Sequence, residues 1–291
     1  MLAGSVIVLG ASGLIGSRIH RRALQILGRR STLGTFATRP VPGLVQFDLE
    51  HHDWPEGAPA GPGFLVLCGA VTKLDQVFTH PARARAINLE RSRQVVLEGE
   101  ARGFLPVFLS TEKVYGSRQT PYVESAAGVP QTAYGELKWE MEQWLSSRVA
   151  HYLTVRLSKV YGTHDDDGSV LQEMTHVLAQ GGVLRCCPKL LLQPTHVNDV
   201  ADGLVSLMQA GCEGPWNLAH PDVWSRFDMG LALCRRLGLA ADLVRAVSLE
   251  ELNLPEAHPT DTRMDVSRFL RQHAAPMRSF SDALENIRIA G

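Results

Sequence analysis

Val6-Ile-Val-Leu-Gly10-Ala-Ser-Gly13-Leu-Ile-Gly16 decides the fold. An apolar run, three glycines and then a helical pattern from Leu14 to Leu27 read as a buried strand turning sharply into a helix. Each glycine has its own job. Gly10 lets the chain leave the strand in a tight turn. Gly13 leaves no Cβ between the backbone and a bound phosphate. Gly16 lets the helix lie close to the sheet. The free N–H groups and partial positive charge at such a helix start suit a dinucleotide pyrophosphate. Ser12, Leu14 and Ile15 complete the candidate cradle. The spacing is GxxGxxG rather than GxGxxG, so the bare pattern also fits a tight strand–helix junction with no ligand.

Outward from this turn, strands alternate with helix-length segments. Thr32–Thr38, Leu44–Leu49, Phe64–Gly69, Pro106–Ser110 and Tyr152–Leu157 read as strands. Leu74 to Ala101 reads as a long helix broken near Pro81, and Gln131 to Ser147 as another helix. This alternation predicts an α/β fold, a Rossmann-type doubly wound parallel sheet with right-handed crossovers. Ligands bind such sheets at the carboxyl ends of the strands. The glycine turn, Ser110-Thr111 and Ser158 all fall at those ends and should converge.

After Gly162 the alternation loosens. Leu190–Gln193 reads as a strand, Asn198 or Asp199 as the N-cap of a helix through Met208, and Phe227–Leu237 as an amphipathic helix. The Pro-rich stretch Leu254–Pro259 reads as a loop. The expected organisation is a dinucleotide-binding domain over 1–162, to which later elements return from about 194–220. Residues 163–291 then form mainly a smaller substrate-binding lobe.

The end of the second strand reports which dinucleotide binds. An acidic residue there would bond the ribose 2′-hydroxyl and select NAD. Phe36-Ala-Thr-Arg39-Pro40 carries no carboxylate. Arg39 can pair with a 2′-phosphate, which favours NADP, with NAD the alternative; covering the adenine face is its other use. Asp48-Leu49 would meet the adenine edge, and Gly69-Ala70 would let the dinucleotide lie across the sheet.

Tyr134-Gly-Glu-Leu-Lys138 places a phenol and an ammonium four residues apart on one helix face. A free tyrosine, with a pKa of about 10, is a sluggish acid at neutral pH. An adjacent ammonium stabilises its phenolate, and so does an oxidised nicotinamide. Thr111 would hold the reacting oxygen by its hydroxyl, and Lys138 would also bond the nicotinamide ribose. A lone Tyr-x-x-x-Lys is usually an ordinary surface helix. Its position after a glycine turn and a strand-end Ser-Thr pair makes Thr111, Tyr134 and Lys138 the candidate catalytic set. Ser110 and Ser158 join Tyr134 and Lys138 as candidate cofactor contacts.

The bulk properties set limits. The chain has 291 residues, 45% of them hydrophobic, with 29 basic and 30 acidic side chains. The net charge of −1 makes no electrostatic case for nucleic acid or an anionic membrane surface. No apolar run reaches the ~20 residues that span a bilayer. Met1-Leu-Ala-Gly-Ser5 lacks the basic region of a signal peptide. Five cysteines without a Cys-x-x-Cys pair suit free thiols in a reducing cytoplasm. Cys186-Cys187 reads as buried structure, and His164-Asp-Asp-Asp167-Gly168 as a solvated acidic turn, so no metal is expected.

Taken together, these segments resemble the extended short-chain dehydrogenase/reductase family over almost the whole chain. The opening glycine turn is similar to its cofactor fingerprint. Ile87-Asn88-Leu89 resembles the segment whose asparagine supports the active site and cofactor. Leu109-Ser-Thr-Glu-Lys-Val-Tyr-Gly116 and Tyr134-Gly-Glu-Leu-Lys138 resemble its catalytic segments. Arg156-Leu-Ser-Lys-Val-Tyr-Gly162 and Pro194-Thr-His-Val-Asn-Asp-Val-Ala201 resemble its later landmarks, and Thr260-Asp-Thr-Arg-Met-Asp265 resembles the dTDP-4-dehydrorhamnose reductase branch. The resemblance implies a nucleotide-sugar substrate and a homodimer built on helices flanking the sheet. Arg185 and Arg263 are candidates for the sugar diphosphate, although surface arginines need no ligand to account for them.

The chain departs from the family at two places. Arg91-Ser92 stands where Gly-Thr is common. Glu112-Lys113 stands where the reductases have Asp-Tyr and the dehydratases Asp-Glu. Glu112 can replace the aspartate as a substrate-side acid, but Lys113 removes a dehydratase's second carboxylate. Hydride transfer needs only Thr111, Tyr134 and Lys138. The leading expectation is therefore NADP-dependent reduction of a keto group on a nucleotide sugar. A nucleotide-sugar 4-epimerase with bound NAD is the second reading. A non-catalytic NADP-binding regulatory subunit is the third, prompted by Lys113 and Arg91.

Overall fold

Val6 and Val8 point to one side of the first strand and Ile7 and Leu9 to the other, and all four are at most 1% exposed. Burial on both faces marks a central strand of a parallel sheet covered by two layers of helices. The computed structural model describes residues 4–164, 167–285 and 287. The first half runs β1 (Ser5–Leu9), α1 (Leu14–Leu27), β2 (Thr32–Phe36), β3 (Val45–Gln46) and β4 (Gly63–Leu67). Helices α2 (Leu74–Thr79), α3 (Pro81–Arg85) and α4 (Ser92–Ala101) follow, with a π-helical turn over Ala86–Arg91. Then come β5 (Phe104–Thr111), α5 (Ala133–Arg148), β6 (Leu153–Leu157) and β7 (Val160–Tyr161).

The second half continues with α6 (Val170–Ala179), β8 (Leu184–Cys186), β9 (Leu191–Leu192), β10 (Thr195–His196), α7 (Val197–Gln209) and β11 (Gly214–Leu218). Last come β12 (Trp224–Ser225), α8 (Arg226–Leu237), β13 (Val244–Ala246), α9 (Ser267–Gln272) and α10 (Phe280–Leu284).

Seven strands form one sheet in the order β3-β2-β1-β4-β5-β6-β11, every pairing parallel. This is the doubly wound arrangement, and the strand order reverses between β1 and β4. Val6 and Val8 pack with Ile19 of α1, Leu204 and Met208 of α7, and Phe269 of α9. Ile7 and Leu9 pack on the opposite side with Leu89, Val96 of α4, and Leu137 and Met141 of α5. A second apolar core joins Met174 and Leu178 of α6, Met229 and Leu233 of α8, and Phe280 of α10. Cys186 and Cys234 are buried within it, and all five cysteines are free thiols. No helix among the described residues is long and apolar enough to cross a membrane.

Several expected boundaries move. The strand expected over Thr32–Thr38 ends at Phe36, and the one expected over Leu44–Leu49 pairs only at Val45–Gln46. The strand expected to start at Pro106 begins two residues earlier, at Phe104. The long helix does break at Pro81, which starts α3, and Pro has no N–H to lose at a first helical position. Neither Asn198 nor Asp199 caps α7. His196 does so, its Nδ1 accepting from the Asn198 N–H at 3.2 Å. The Asp199 carboxylate turns instead to the Arg278 backbone N–H, at 2.7 Å, and to the Arg278 guanidinium. Of the acidic turn, Asp165 and Asp166 lie outside the described residues.

Candidate active site

The carboxyl ends of β1, β4, β5 and β6 open onto one cleft of ≈ 410 Å³. Its floor is the glycine turn. Gly10 has φ 79°, and a Cβ there would stand 2.7 Å from the Gly69 nitrogen. Its N–H donates to Thr35 Oγ1 on β2 at 3.1 Å, which ties the turn to the sheet. A Cβ on Gly16 would come within 2.3 Å of the Gly10 oxygen, so α1 can rest on the turn only without one. Gly13 precedes α1, and a Cβ there would meet nothing nearer than 3.5 Å; the space beside it belongs to the cleft.

The start of α1 has no side-chain cap and no acidic residue in its first turn. Its unpaired N–H groups and partial positive charge fit a pyrophosphate. Leu14 and Ile15 line the same cleft. Ser12 lines an adjoining one with Arg18, Arg21 and His164. Arg18 pairs with Asp167 at 2.8 Å, joining α1 to the loop before α6.

The adenosine-side candidates are more dispersed. Arg39 is exposed just past β2, and no hydrogen bond or ion pair occupies its guanidinium among the described residues. Asp48 accepts from the Glu50 N–H at 3.0 Å. Leu49 is buried in the core, and its carbonyl accepts from Arg91 Nε at 2.6 Å. Gly69 backs the Gly10 turn, and Ala70 lines the cleft. Asn88 sits in the π-helical turn, 3% exposed, and its amide bonds both the N–H and the carbonyl of Val71 at 2.8 Å. It thereby fixes the loop that leaves β4.

The chemical groups come from β5 and α5. Thr111 ends β5, and its Oγ1 accepts from the Lys113 N–H at 3.2 Å. Thr132 caps α5 by accepting from the Gly135 N–H at 3.1 Å, which starts the helix just before Tyr134. Tyr134 and Lys138 line the cleft with Ser110, Thr111 and Ser158. Lys138 is 5% exposed, and its Nζ donates to the Leu109 carbonyl at 2.7 Å. The ammonium lies 4.5 Å from the Phe108 ring centre and 5.7 Å from that of Tyr134. Burial pulls Lys138 down from 10.5 to about 8, against the opposing pull of Cys68 and Glu142. Burial, and secondarily the negative charge of Glu112, pushes the Tyr134 phenol well above its ordinary range. Before cofactor binds, Tyr134 is therefore protonated throughout the neutral range, as a proton donor must be.

Glu112 is 5% exposed, with Oε2 3.5 Å from Thr111 Oγ1 and Oε1 3.8 Å from Lys113 Nζ. It backs the threonine rather than lining the cleft. Ser110 donates its hydroxyl to Glu142, and Ser158 Oγ accepts from the Gln193 N–H at 3.2 Å. Arg185 and Arg263 are not brought to the cleft. Arg185 donates to the Glu251 carbonyl at 2.9 Å, and Arg263 holds the Asp261 carboxylate at 2.7 Å and the Gln119 carbonyl at 2.8 Å.

Sequence reasoning missed Cys68, Thr72, Lys159 and Asp167, which also line the cleft. Lys159 was the most findable, since it directly follows Ser158 at the end of β6. Burial first, then the charge of Arg226, lowers its pKa. Its ammonium forms no ion pair among the described residues. No group of three or more metal-ligating side chains occurs among those residues either.

The chain is similar to known proteins in sequence and in fold. The model of the RmlD substrate binding domain matches residues 4–289. A probable dTDP-4,6-dihydroxy-2-methyloxan-3-one 4-ketoreductase from Streptomyces antibioticus is 26% identical over 289 residues, covering 96% of this chain and 92% of the relative. A dTDP-4-dehydrorhamnose reductase from Mycobacterium tuberculosis is 24% identical over 289 residues, 96% of this chain and 90% of the relative. The crystal structure of the Bacillus anthracis dTDP-4-dehydrorhamnose reductase in complex with NADP superposes with a TM-score of 0.79. At 22% identity it covers 98% of this chain and 99% of that one, and shares its fold.

Proposed function

The chain belongs to the RmlD substrate binding domain family, and from that premise we propose that it is an NADP-dependent reductase acting on a keto group of a nucleotide-activated sugar, as the dTDP-4-dehydrorhamnose reductases do. The observation that carries this reading is the gathering of Thr111, Tyr134 and Lys138 around a cleft floored by the glycine turn.

NADPH, when bound, supplies the hydride. The Thr111 hydroxyl donates to the carbonyl oxygen and orients it. The Tyr134 phenol, protonated at neutral pH, gives that oxygen its proton as negative charge develops there. The Lys138 ammonium, held by the Leu109 carbonyl, stabilises the phenolate left behind. The start of α1 and Ser12 hold the pyrophosphate, and Arg39 meets the 2′-phosphate. On the substrate side, Lys159 is the cation in the cleft best placed for an anionic part of the nucleotide sugar. Apart from α7, β11 and α9, which join or cover the central sheet, the elements after Gly162 supply mainly the substrate lobe.

One observation weighs against a non-catalytic cofactor-binding role. Arg91, which together with Lys113 prompted that reading, spends its guanidinium on the Leu49 and His52 carbonyls. It braces the fold and leaves the three reacting groups alone. A reducing cytoplasm suits the free thiols, and a homodimer through the helices flanking the sheet belongs to the same reading, testable by light scattering.

The decisive test follows NADPH absorbance with dTDP-4-keto sugars for the wild type and Tyr134→Phe. Turnover by the wild type and loss of at least a hundredfold in the variant is the expected result. Equal rates in the two proteins would remove the tyrosine from the mechanism.

A further inference from the structure

Helix α5 carries a second charged side chain on the face of Tyr134 and Lys138. Glu142 lies one turn beyond Lys138 and is 5% exposed. Its carboxylate accepts the hydroxyl of Ser110, the residue before Thr111 on β5. It also accepts from Arg156 on β6, itself 3% exposed, through Nε at 3.1 Å to both oxygens and Nη2 at 2.6 Å to one. The remaining Arg156 nitrogen donates to the Tyr115 hydroxyl and to the Glu124 carbonyl, the latter at 2.9 Å. Tyr115 follows the turn that leaves Thr111, and its ring stacks on Tyr122 with centres 4.1 Å apart. Tyr122 in turn bonds the backbone of Arg263 and Asp265.

One buried carboxylate thus joins the helix bearing the phenol and ammonium to the strand bearing the threonine. Through Arg156 it also grips the chain on the far side of that threonine. A buried ion pair of this kind is weak evidence for stability, because desolvation opposes the attraction, but its geometry is strict. We infer that Glu142 is a positioning residue for the reduction, holding Ser110 and Arg156 so that Thr111 faces Tyr134 and Lys138 at a fixed separation.

The carboxylate also acts on Lys138 through space. The groups facing that ammonium are Cys68 at the end of β4, the Leu109 carbonyl and Phe108 ring of β5, and Tyr134 and Glu142 on its own helix. Those facing Glu142 are Ser110, Arg156, Tyr115 and Tyr152. The negative charge of Glu142 favours the protonated lysine against its burial.

The inference rests on the proposed reductase activity for its kinetic readout, so the test adds one that needs no substrate. Glu142→Gln and Ser110→Ala are compared with the wild type by NADPH affinity, by kcat and KM on a keto sugar, and by NMR titration of the lysine ε-carbons, with Lys138→Met assigning the signal. In Glu142→Gln, kcat should fall tenfold to a hundredfold with KM and NADPH affinity within twofold. Its Lys138 midpoint should move to lower pH. Ser110→Ala removes one hydrogen bond and no charge; its kcat should fall severalfold with the Lys138 midpoint unmoved. Wild-type kcat in both variants, or an unchanged Lys138 midpoint in Glu142→Gln, overturns the inference. If Glu142→Gln does not fold, Ser110→Ala decides alone, a lowered kcat at unchanged KM supporting it and a wild-type kcat overturning it. If no keto sugar is turned over by the wild type, the reductase reading fails, while the Lys138 titration still reports on Glu142.

Discussion

Gly135 lies against Lys113 so closely that a Cβ would stand 2.2 Å from the Lys113 carbonyl oxygen. The contact seats the first turn of α5 on the turn that follows Thr111, and so sets Tyr134 beside the threonine. Gly135→Ala favours the isolated helix but cannot fit without displacing backbone. We expect a loss of about 1–3 kcal/mol in urea unfolding and a fall in kcat of tenfold or more. Wild-type kcat in the alanine variant would show that this seat does not position the tyrosine.

Lys138 carries a cost and a pH dependence. Its shift from 10.5 to about 8 corresponds to about 3 kcal/mol spent on keeping a buried ammonium. The charged form is present below about pH 8 and is lost as pH rises through it. In kcat/KM, which reports the free enzyme, the basic limb should therefore fall near pH 8. The lysine's penalty on folding is relieved as pH rises from about 8 towards 10.5. Lys138→Met should lose at least a hundredfold in kcat yet unfold at pH 7 at or above the wild-type temperature. A calorimetric midpoint well below wild type would contradict the buried-charge account.

Arg39 lies exposed just past β2, with no partner for its guanidinium among the described residues. Arg39→Ala should raise KM for NADPH about tenfold and leave that for NADH within twofold, because only the former carries a 2′-phosphate to lose. Steady-state kinetics with both dinucleotides decide the point. An equal rise in both would assign Arg39 to the adenine face.

His196 couples acidity to stability. Burial, followed by the charge of Arg278, pulls its imidazole down to about 4, and its Nδ1 must stay unprotonated to cap α7. The sign follows from linkage. A depressed folded-state pKa gives a contribution that is complete above about 6.5 and is lost as pH falls towards 4. Urea midpoints should therefore decline between pH 6.5 and 4, and His196→Asn should flatten that decline. An unchanged slope in the variant would place the acid sensitivity elsewhere.

The parts of this molecule legible from sequence are those governed by short-range rules. The glycine turn, the alternation of strands and helices, and the shared face of Tyr134 and Lys138 depend on residues close in the chain. The parts not legible depend on partners far away. Asp199 has the chemistry of a helix cap, yet Arg278 draws it off and His196 takes the task. Arg185 and Arg263 are plausible diphosphate ligands by type, but their donors meet Glu251 and Asp261. Lys159 stands next to Ser158 in the chain, but only the folded cleft shows that its ammonium shares the site with Tyr134 and Lys138. Glu142 likewise looks like an ordinary helix-surface carboxylate until Ser110 and Arg156 close around it.

The ends of the parallel sheet have a consequence for behaviour in concentrated solution. One rim is β3, only two residues long. The other is β11, where Pro215 supplies no amide hydrogen and Arg268 stacks over the Trp216 ring at 3.7 Å. Neither rim offers a stranger's strand a long run of open hydrogen-bonding groups, so template-driven polymerisation finds little purchase on the folded chain.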